Sequence, residues 1–319
     1  MLVLGWSVSV EAETREYFIA AESFQWDYAP AGKDLTHDAP LPSEVKEKTK
    51  WNKVHYVEYE DREFSKRKLQ PPSLGILGPI IRAEVGDTIV VHFANKADRP
   101  YSMHPHGVRY TKDDEGAQYS PSGRGSKVPP GKQYTYTWIA DVMSGPGPQD
   151  PSSIVWWYHS HVHEEDDIQR GLLGPIIVAA KGRAKPDGSP TDIDREFVTA
   201  FMIFKEEEQG AKAQTPIEMD SINGYIYGNL QGLEMQQGER VRWYVLGMGD
   251  EKDLHTVHWH GKPVEAFGRH TDVLELLPGS MRTATMLADN PGIWLYHCHV
   301  EEHLRWGMHT RFHIKHTAQ

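Results

Sequence analysis

Tyr296-His297-Cys298-His299-Val300-Glu301-Glu302-His303-Leu304-Arg305-Trp306-Gly307-Met308 is the stretch on which this chain turns. In an extended strand side chains alternate, so His297 and His299 share one face and Cys298 takes the other. There Cys298 can meet His303, with Met308 as a weak further ligand and His255 from another strand. A thiolate, two imidazoles and a loosely bound thioether form the electron-transfer copper set. A lone buried cysteine is usually a small hydrophobe, and a lone methionine core filler. The joint spacing of the four residues is what sets that explanation aside. Cys298 is the only cysteine, which excludes an intrachain disulfide framework and a thiolate zinc cluster.

The same wording recurs upstream. Tyr158-His-Ser-His-Val162 echoes Tyr296-His-Cys-His-Val300, His104-Pro-His-Gly107 echoes His258-Trp-His-Gly261, and Arg15-Glu-Tyr17 echoes Arg195-Glu-Phe197. Three echoes in one order imply two copies of a domain. The polar, Pro- and Gly-containing run Lys181–Pro190 reads as the linker, giving domains 1–190 and 191–319. Short β-branched and aromatic runs (Tyr17–Ala20, Thr88–His92, Tyr134–Trp138, Arg240–Val245, Thr310–Ile314) alternate with turns such as Pro129-Pro-Gly131. Helical periodicity is absent, so the expectation is all-β: two Greek-key sandwich or barrel domains. The charged stretch 31–68 shows no strand pattern and is expected to be a long surface loop.

Four His-x-His pairs stand out: His104/His106, His159/His161, His258/His260 and His297/His299. At this chain's histidine frequency about one such pair arises by chance. One pair on a β face is ordinary; four, two per copy, are not. Eight imidazoles exceed what one tetrahedral metal uses and suit a cluster of several metals at the seam of two domains. An electron entering at Cys298 has only a few bonds to cross to metals on His297 and His299. His37, His55, His92, His163, His270, His309, His313 and His316 lack the spacing and are assigned no metal.

The 319 residues carry Lys+Arg 34 against Asp+Glu 45, a net charge of −11. That balance argues against nucleic acid or an anionic membrane surface as partner. No apolar run approaches the roughly 18 residues of a membrane helix. The run Leu2–Val10 lacks a basic start and is at most the remnant of an export signal.

These segments resemble the multicopper oxidases. Arg15–Ala21, Gly171-Leu-Leu-Gly-Pro-Ile-Ile177, Gly228-Asn-Leu-Gln-Gly232 and Asp253-Leu-His-Thr-Val-His258 are similar to the branch holding ceruloplasmin, hephaestin and the coagulation-factor A domains. The resemblance implies two cupredoxin-like domains and four coppers per chain. Type 2 copper would take His104 and His258. One type 3 copper would take His106, His159 and His299, the other His161, His260 and His297. Type 1 would take His255, Cys298 and His303, with Met308 axial. In the first copy Ser160 replaces the cysteine, and Glu165 stands four residues after His161 where the second copy has His303, so that copy is expected to hold no blue copper. Relatives have three or six such domains. Three copies of this two-domain chain would rebuild a closed ring by cyclic symmetry, so a homotrimer with clusters between subunits is expected.

The implied activity is laccase-like: one-electron oxidation of phenols or aromatic amines, coupled to reduction of dioxygen to water. Ferrous iron is the alternative donor. Glu302, beside His303, matches a ferroxidase carboxylate, and Asp220 falls where those relatives place an iron-site histidine, with Glu218 close by. Glu115 matches a family carboxylate near the cluster and is expected to relay protons. A copper nitrite reductase would leave eight paired imidazoles unexplained. A coagulation-factor-like structural module would have lost ligands. An extracytoplasmic site, periplasmic or secreted, is expected.

Overall fold

The echoes are architectural. In the computed structural model, which describes residues 12–207 and 216–316, each copy is a pair of sheets. The first copy packs a sheet ordered Lys50–Tyr59, Thr14–Asp27, Thr88–Asn95, Gln133–Ile139, Arg109–Tyr110 against one ordered Ile81–Glu84, Leu173–Ala179, Ser153–His159, His104–Pro105. The second repeats that order and adds one strand at the end of each sheet, Arg269–Thr271 and Val273–Leu276. Arg195–Glu206 pairs in parallel with Arg240–Gly247, as Thr14–Asp27 does with Thr88–Asn95. Gly292–Cys298 lies between His309–Lys315 and His255–Trp259, as Ser153–His159 lies between Leu173–Ala179 and His104–Pro105.

Alternation fills each interior. Phe93, Tyr136, Trp138, Tyr158 and Ile176 are wholly buried in the first copy; Phe201, Trp243, Tyr296, Cys298 and Phe312 are so in the second. A third core, including Tyr28, Trp157, Phe204 and Tyr244, draws on both copies and holds them together. Burial on this scale, at about 25 cal/mol per Å² of apolar surface, fixes how the copies sit. The Trp26 indole N–H donates to the Gly224 carbonyl (2.6 Å), and Arg82 pairs with Glu196 (2.9 Å).

The expectation of a long surface loop at 31–68 is corrected. Lys33–Asp34 and Ala39–Pro40 form a small hairpin, and Lys50–Tyr59 is an edge strand antiparallel to Thr14–Asp27, Trp51 facing Trp26 and Tyr59 facing Phe18. Its charges concealed it. Lys53, almost fully buried, pairs with Glu206 of the second copy and donates to the Gln169 carbonyl (2.7 Å). Leu2–Val10 lies outside the described residues. Among those described, no helix is long and apolar enough to cross a membrane.

Candidate metal centres

Each His-x-His pair straddles a strand end. His104, His159, His258 and His297 lie in strands; His106, His161, His260 and His299 fall just beyond them. The chain turns there, so the rings converge instead of merely stacking along a face. The glycine of His-x-His-Gly is needed for the turn. Gly107 and Gly261 adopt φ +71° and +75°, and a Cβ on either would enter the Trp156 or Trp294 indole, 2.0 and 2.4 Å from its nearest atom.

The two copies build the same half-site. In the first, His106 Nε2 faces His159 Nε2 at 3.0 Å; in the second, His260 Nε2 faces His297 Nε2 at 3.1 Å. Carbonyl oxygens fix Nδ1 of the neighbouring rings: Glu115 for His104 (2.6 Å), Ser160 for His159 (3.0 Å), Asp272 for His258 (2.8 Å) and Cys298 for His297 (2.7 Å). Nδ1 therefore carries the proton and Nε2 is left as a lone-pair donor. Burial pushes His106 and His297 down to about 4 and His159 to about 3, which keeps them neutral and ready for a cation. Within each copy one ligand atom from each of three histidines clusters within 4.8 Å: His104, His106 and His159, or His258, His260 and His297. Among the described residues, no ring of the first four contacts a ring of the second four.

Cys298, His255 and His303 form a separate, buried triangle. Its edges are 3.2 Å (His255 Nδ1 to His303 Nδ1), 3.5 Å (Cys298 Sγ to His303 Nδ1) and 3.9 Å (Cys298 Sγ to His255 Nδ1). A point equidistant from the three atoms lies about 2 Å from each, a metal–nitrogen bond length, so the donor set fits an ion. Met308, fully buried, is tied in by its backbone: its N–H donates to the His303 carbonyl (2.9 Å), and its carbonyl accepts from Cys298 N–H (3.0 Å). Burial pushes the Cys298 thiol up, and the Val300 N–H donates to its sulfur (3.4 Å).

One expectation shifts in the first copy. Glu165 does not take the place of His303; it is exposed. Ser160 N–H donates to Leu172 O and Leu172 N–H to Asp167 O (both 3.1 Å), matching the bonds Cys298 to Met308 and Met308 to His303. Asp167 therefore stands where His303 does, and Leu172 where Met308 does. Two extra residues between His161 and Asp167 cause the shift, one before the helical turn Glu164–Gln169 and one within it, relative to Glu301–Arg305.

The predicted carboxylates lie beside the sites. Glu115 is bonded by Lys112 and by the Tyr119 hydroxyl (2.7 Å); burial raises its pKa, but those bonds hold it below the usual range. Glu302 is exposed, Glu218 pairs with Lys252 (2.6 Å), and Asp220 is buried. Burial, then Glu218, Asp253 and Glu302, push Asp220 up to about 8. Three features escaped sequence reasoning. Asp253, fully buried, binds His255 Nε2 at 3.2 Å and fixes that ring, and an acid two residues before a ligand was the available signal. Glu164 caps His161 Nε2 at 3.0 Å. Asp34, His37 and His309 form a third kind of cluster.

Family models described as multicopper oxidase match residues 54–183 and 202–318. Ferroxidase HEPHL1 of Homo sapiens is 38% identical over 350 residues, covering 98% of this chain and 30% of that protein. Human ceruloplasmin is 36% identical over 335 residues, covering 93% and 30%. Human coagulation factor V is 39% identical over 324 residues, covering 93% and 14%. The chain thus spans less than a third of the length of these relatives. A solved multicopper oxidase superposes with TM-score 0.65 at 21% identity, over 95% of this chain and 89% of that one. A blue copper oxidase from Nitrosomonas europaea gives 0.66 at 20%, over 95% and 86%. These share the cupredoxin-type fold.

Proposed function

We propose a function for this chain from one premise: it belongs to the multicopper oxidase family, and the family implies copper. The chain is an oxidase that draws electrons singly from a small reducing donor, phenols and aromatic amines in the main reading, and delivers four to dioxygen to give water. The single observation carrying this is the buried Cys298–His255–His303 triangle, whose cysteine is flanked in the chain by His297 and His299. Bound copper, held by Cys298, His255 and His303 with Met308 as a further weak ligand, would supply one-electron transfer at that triangle, and a three-copper site would supply dioxygen reduction, making four coppers per chain. Asp253 orients His255, and the Val300 N–H tempers the charge on Cys298. His104 and His258 would hold type 2 copper; His106, His159 and His299 one type 3 copper; His161, His260 and His297 the other. The facing of His106 with His159, and of His260 with His297, supports that division. Glu115 holds and releases protons beside His104, to which its own carbonyl is bonded. We place this chemistry outside the cytoplasm.

Among the described residues the two half-sites do not touch, so one cluster built from both needs a first copy to face a second copy other than its own. The reading is a homotrimer in which the first copy of one chain faces the second copy of the next. Light scattering and copper analysis, run beside oxygen uptake, test it. Trimers with four coppers per chain and activity that falls on dissociation are expected. A fully active monomer, or two coppers per chain as in a nitrite reductase, would overturn it.

A second reading, ferrous iron as donor, is supported by the acidic group of Glu218, Asp220 and Glu302 around His303. Iron(II) favours such oxygen ligands beside an imidazole. Replacing Glu302 by Gln should lower Fe(II) oxidation several-fold more than oxidation of a neutral phenol. Equal losses on both substrates would reject iron and leave the phenolic reading.

A further inference from the structure

We propose that Asp34, His37 and His309 bind one first-row divalent metal ion, at a site separate from those above, which clips the Lys33–Pro40 hairpin of the first copy to the last strand of the second. One ligand atom from each residue lies within 4.8 Å of the other two, and the two rings meet edge to face at 5.3 Å. Side chains far apart in sequence converge here. His309 opens the strand His309–Lys315, whereas Asp34 and His37 sit on the hairpin.

The hairpin is held ready. Asp34 Oδ1 accepts the N–H groups of Thr36 (2.8 Å) and His37 (3.1 Å), which leaves Oδ2 turned toward His37 Nδ1 at 2.7 Å. Leu35 N–H donates to the Tyr227 carbonyl (3.0 Å), and Asn229 Nδ2 donates to that of Lys33 (3.1 Å), anchoring the hairpin on the second copy. The Thr36 hydroxyl engages His309 Nδ1 at 2.9 Å, so Nε2 is the nitrogen left to bind.

The fold does not call for an imidazole at position 309. His309 pairs across the sheet with His297, and in the first copy Leu173 holds the same register opposite His159. Leu173 is 1% exposed and His309 2%, so a polar ring stands where packing alone selects an aliphatic side chain. Asp34 is likewise buried, while His37 is exposed and closes the site from outside. Adjacent ligands on one tetrahedral ion stand about 3.3 Å apart; an ion would take the place of the proton between Asp34 and His37, whose exposed ring can turn toward it. Two imidazoles and a carboxylate, without a thiolate, suit zinc(II), copper(II), cobalt(II) or iron(II), whereas calcium and magnesium prefer oxygen ligands alone. Positions facing water on the His37 side would be filled by solvent.

Cobalt(II), whose visible absorption reports its ligands, is the probe. It is titrated into the full chain after copper loading, with metal analysis alongside. Wild type should take up one cobalt per chain beyond its copper and unfold at a higher temperature with cobalt present. His37→Ala should bind at least tenfold more weakly and lose that shift, with the blue absorption of the Cys298 site unchanged. Asp34→Asn, which keeps the Oδ1 acceptor of the turn, should show the same loss. No cobalt uptake by a wild type that holds only four coppers, or equal uptake of cobalt or of a fifth copper by wild type and both variants, would overturn the site and leave a hydrogen-bond network alone.

Discussion

Cys298 Sγ faces His303 Nδ1 at 3.5 Å; at the matching place in the first copy, Ser160 Oγ donates to Asp167 Oδ2 at 2.7 Å. The backbone bonds linking Ser160, Leu172 and Asp167 match those linking Cys298, Met308 and His303, yet what they hold differs in kind. Asp167 is a completed hydrogen-bond centre: its carboxylate accepts from Ser160, from the His163 N–H (3.1 Å) and from Arg99 (3.2 Å). The Cys298 seat instead crowds two imidazole nitrogens and a thiol, groups with lone pairs to share and few protons between them. Such a set is favourable only around a cation, whereas the Ser160 set is content without one. In the proposed function one frame serves electron transfer in one copy and plain stability in the other, and the side chains decide which.

The largest effect should follow from removing that difference at its centre. Cys298→Ser should abolish the blue absorption and reduce turnover by orders of magnitude, because thiolate-to-copper charge transfer and the route to His297 and His299 both need the sulfur. The paired histidines are untouched, so about three of four coppers should stay bound. Visible absorption with copper analysis checks this. A blue Cys298→Ser protein would erase the contrast between the copies.

The convergence of these side chains was legible because it is written locally. His297, Cys298, His299, His303 and Met308 fall within twelve residues, and each His-x-His-Gly marks a turn that needs glycine and a tryptophan to pack on it. The doubled order of strands followed from the same echoes. What stayed hidden depended on partners distant in sequence. Lys53 makes Lys50–Tyr59 look like a solvated loop until Glu206 is brought to it, and His309 looks unassigned until the hairpin carries Asp34 and His37 there. The replacement of His303 by Asp167 was misread as Glu165 because counting residues assumes equal turns, and the turn in the first copy is longer.

A smaller effect should come from Asp167. Asparagine cannot accept from all three of its donors, so Asp167→Asn should cost about 1–3 kcal/mol in denaturant unfolding while leaving copper content and blue colour alone. The pH dependence has a defined sign. Burial raises the Asp167 pKa despite the bonds from Ser160 and His163. Between the ordinary aspartate value and that raised value the folded state holds a proton the unfolded state has released. Its contribution to stability is complete below the window and is lost as pH rises through it. Asp167→Asn should remove that part of the slope. A bleached variant would mean that the first copy's network supports the metal seat and is not merely its counterpart.

The smallest change should follow from Ser160→Cys, and it is the most informative about the frame. A thiol at 160 would face Asp167, while Tyr101 and Leu172 hold the chain positions that His255 and Met308 hold beside Cys298. With no imidazole and no thioether at hand, a soft ligand alone does not make the electron-transfer set. The variant should bind no additional copper and show no second blue band. It should lose only about 1 kcal/mol, as buried Asp167 gives up its bond from the Ser160 hydroxyl. Adding Tyr101→His, Asp167→His and Leu172→Met to Ser160→Cys would then supply the whole set within a backbone that already carries the matching bonds. Visible absorption and copper analysis of both proteins decide between two accounts. Blue colour in the fourfold variant alone would show that the frame is sufficient and the side chains selective. Blue colour in Ser160→Cys by itself would break the comparison, because a lone cysteine would then be enough. No colour in either would mean that the two extra residues between His161 and Asp167 displace the ligand at 167 too far for the frame to be reused.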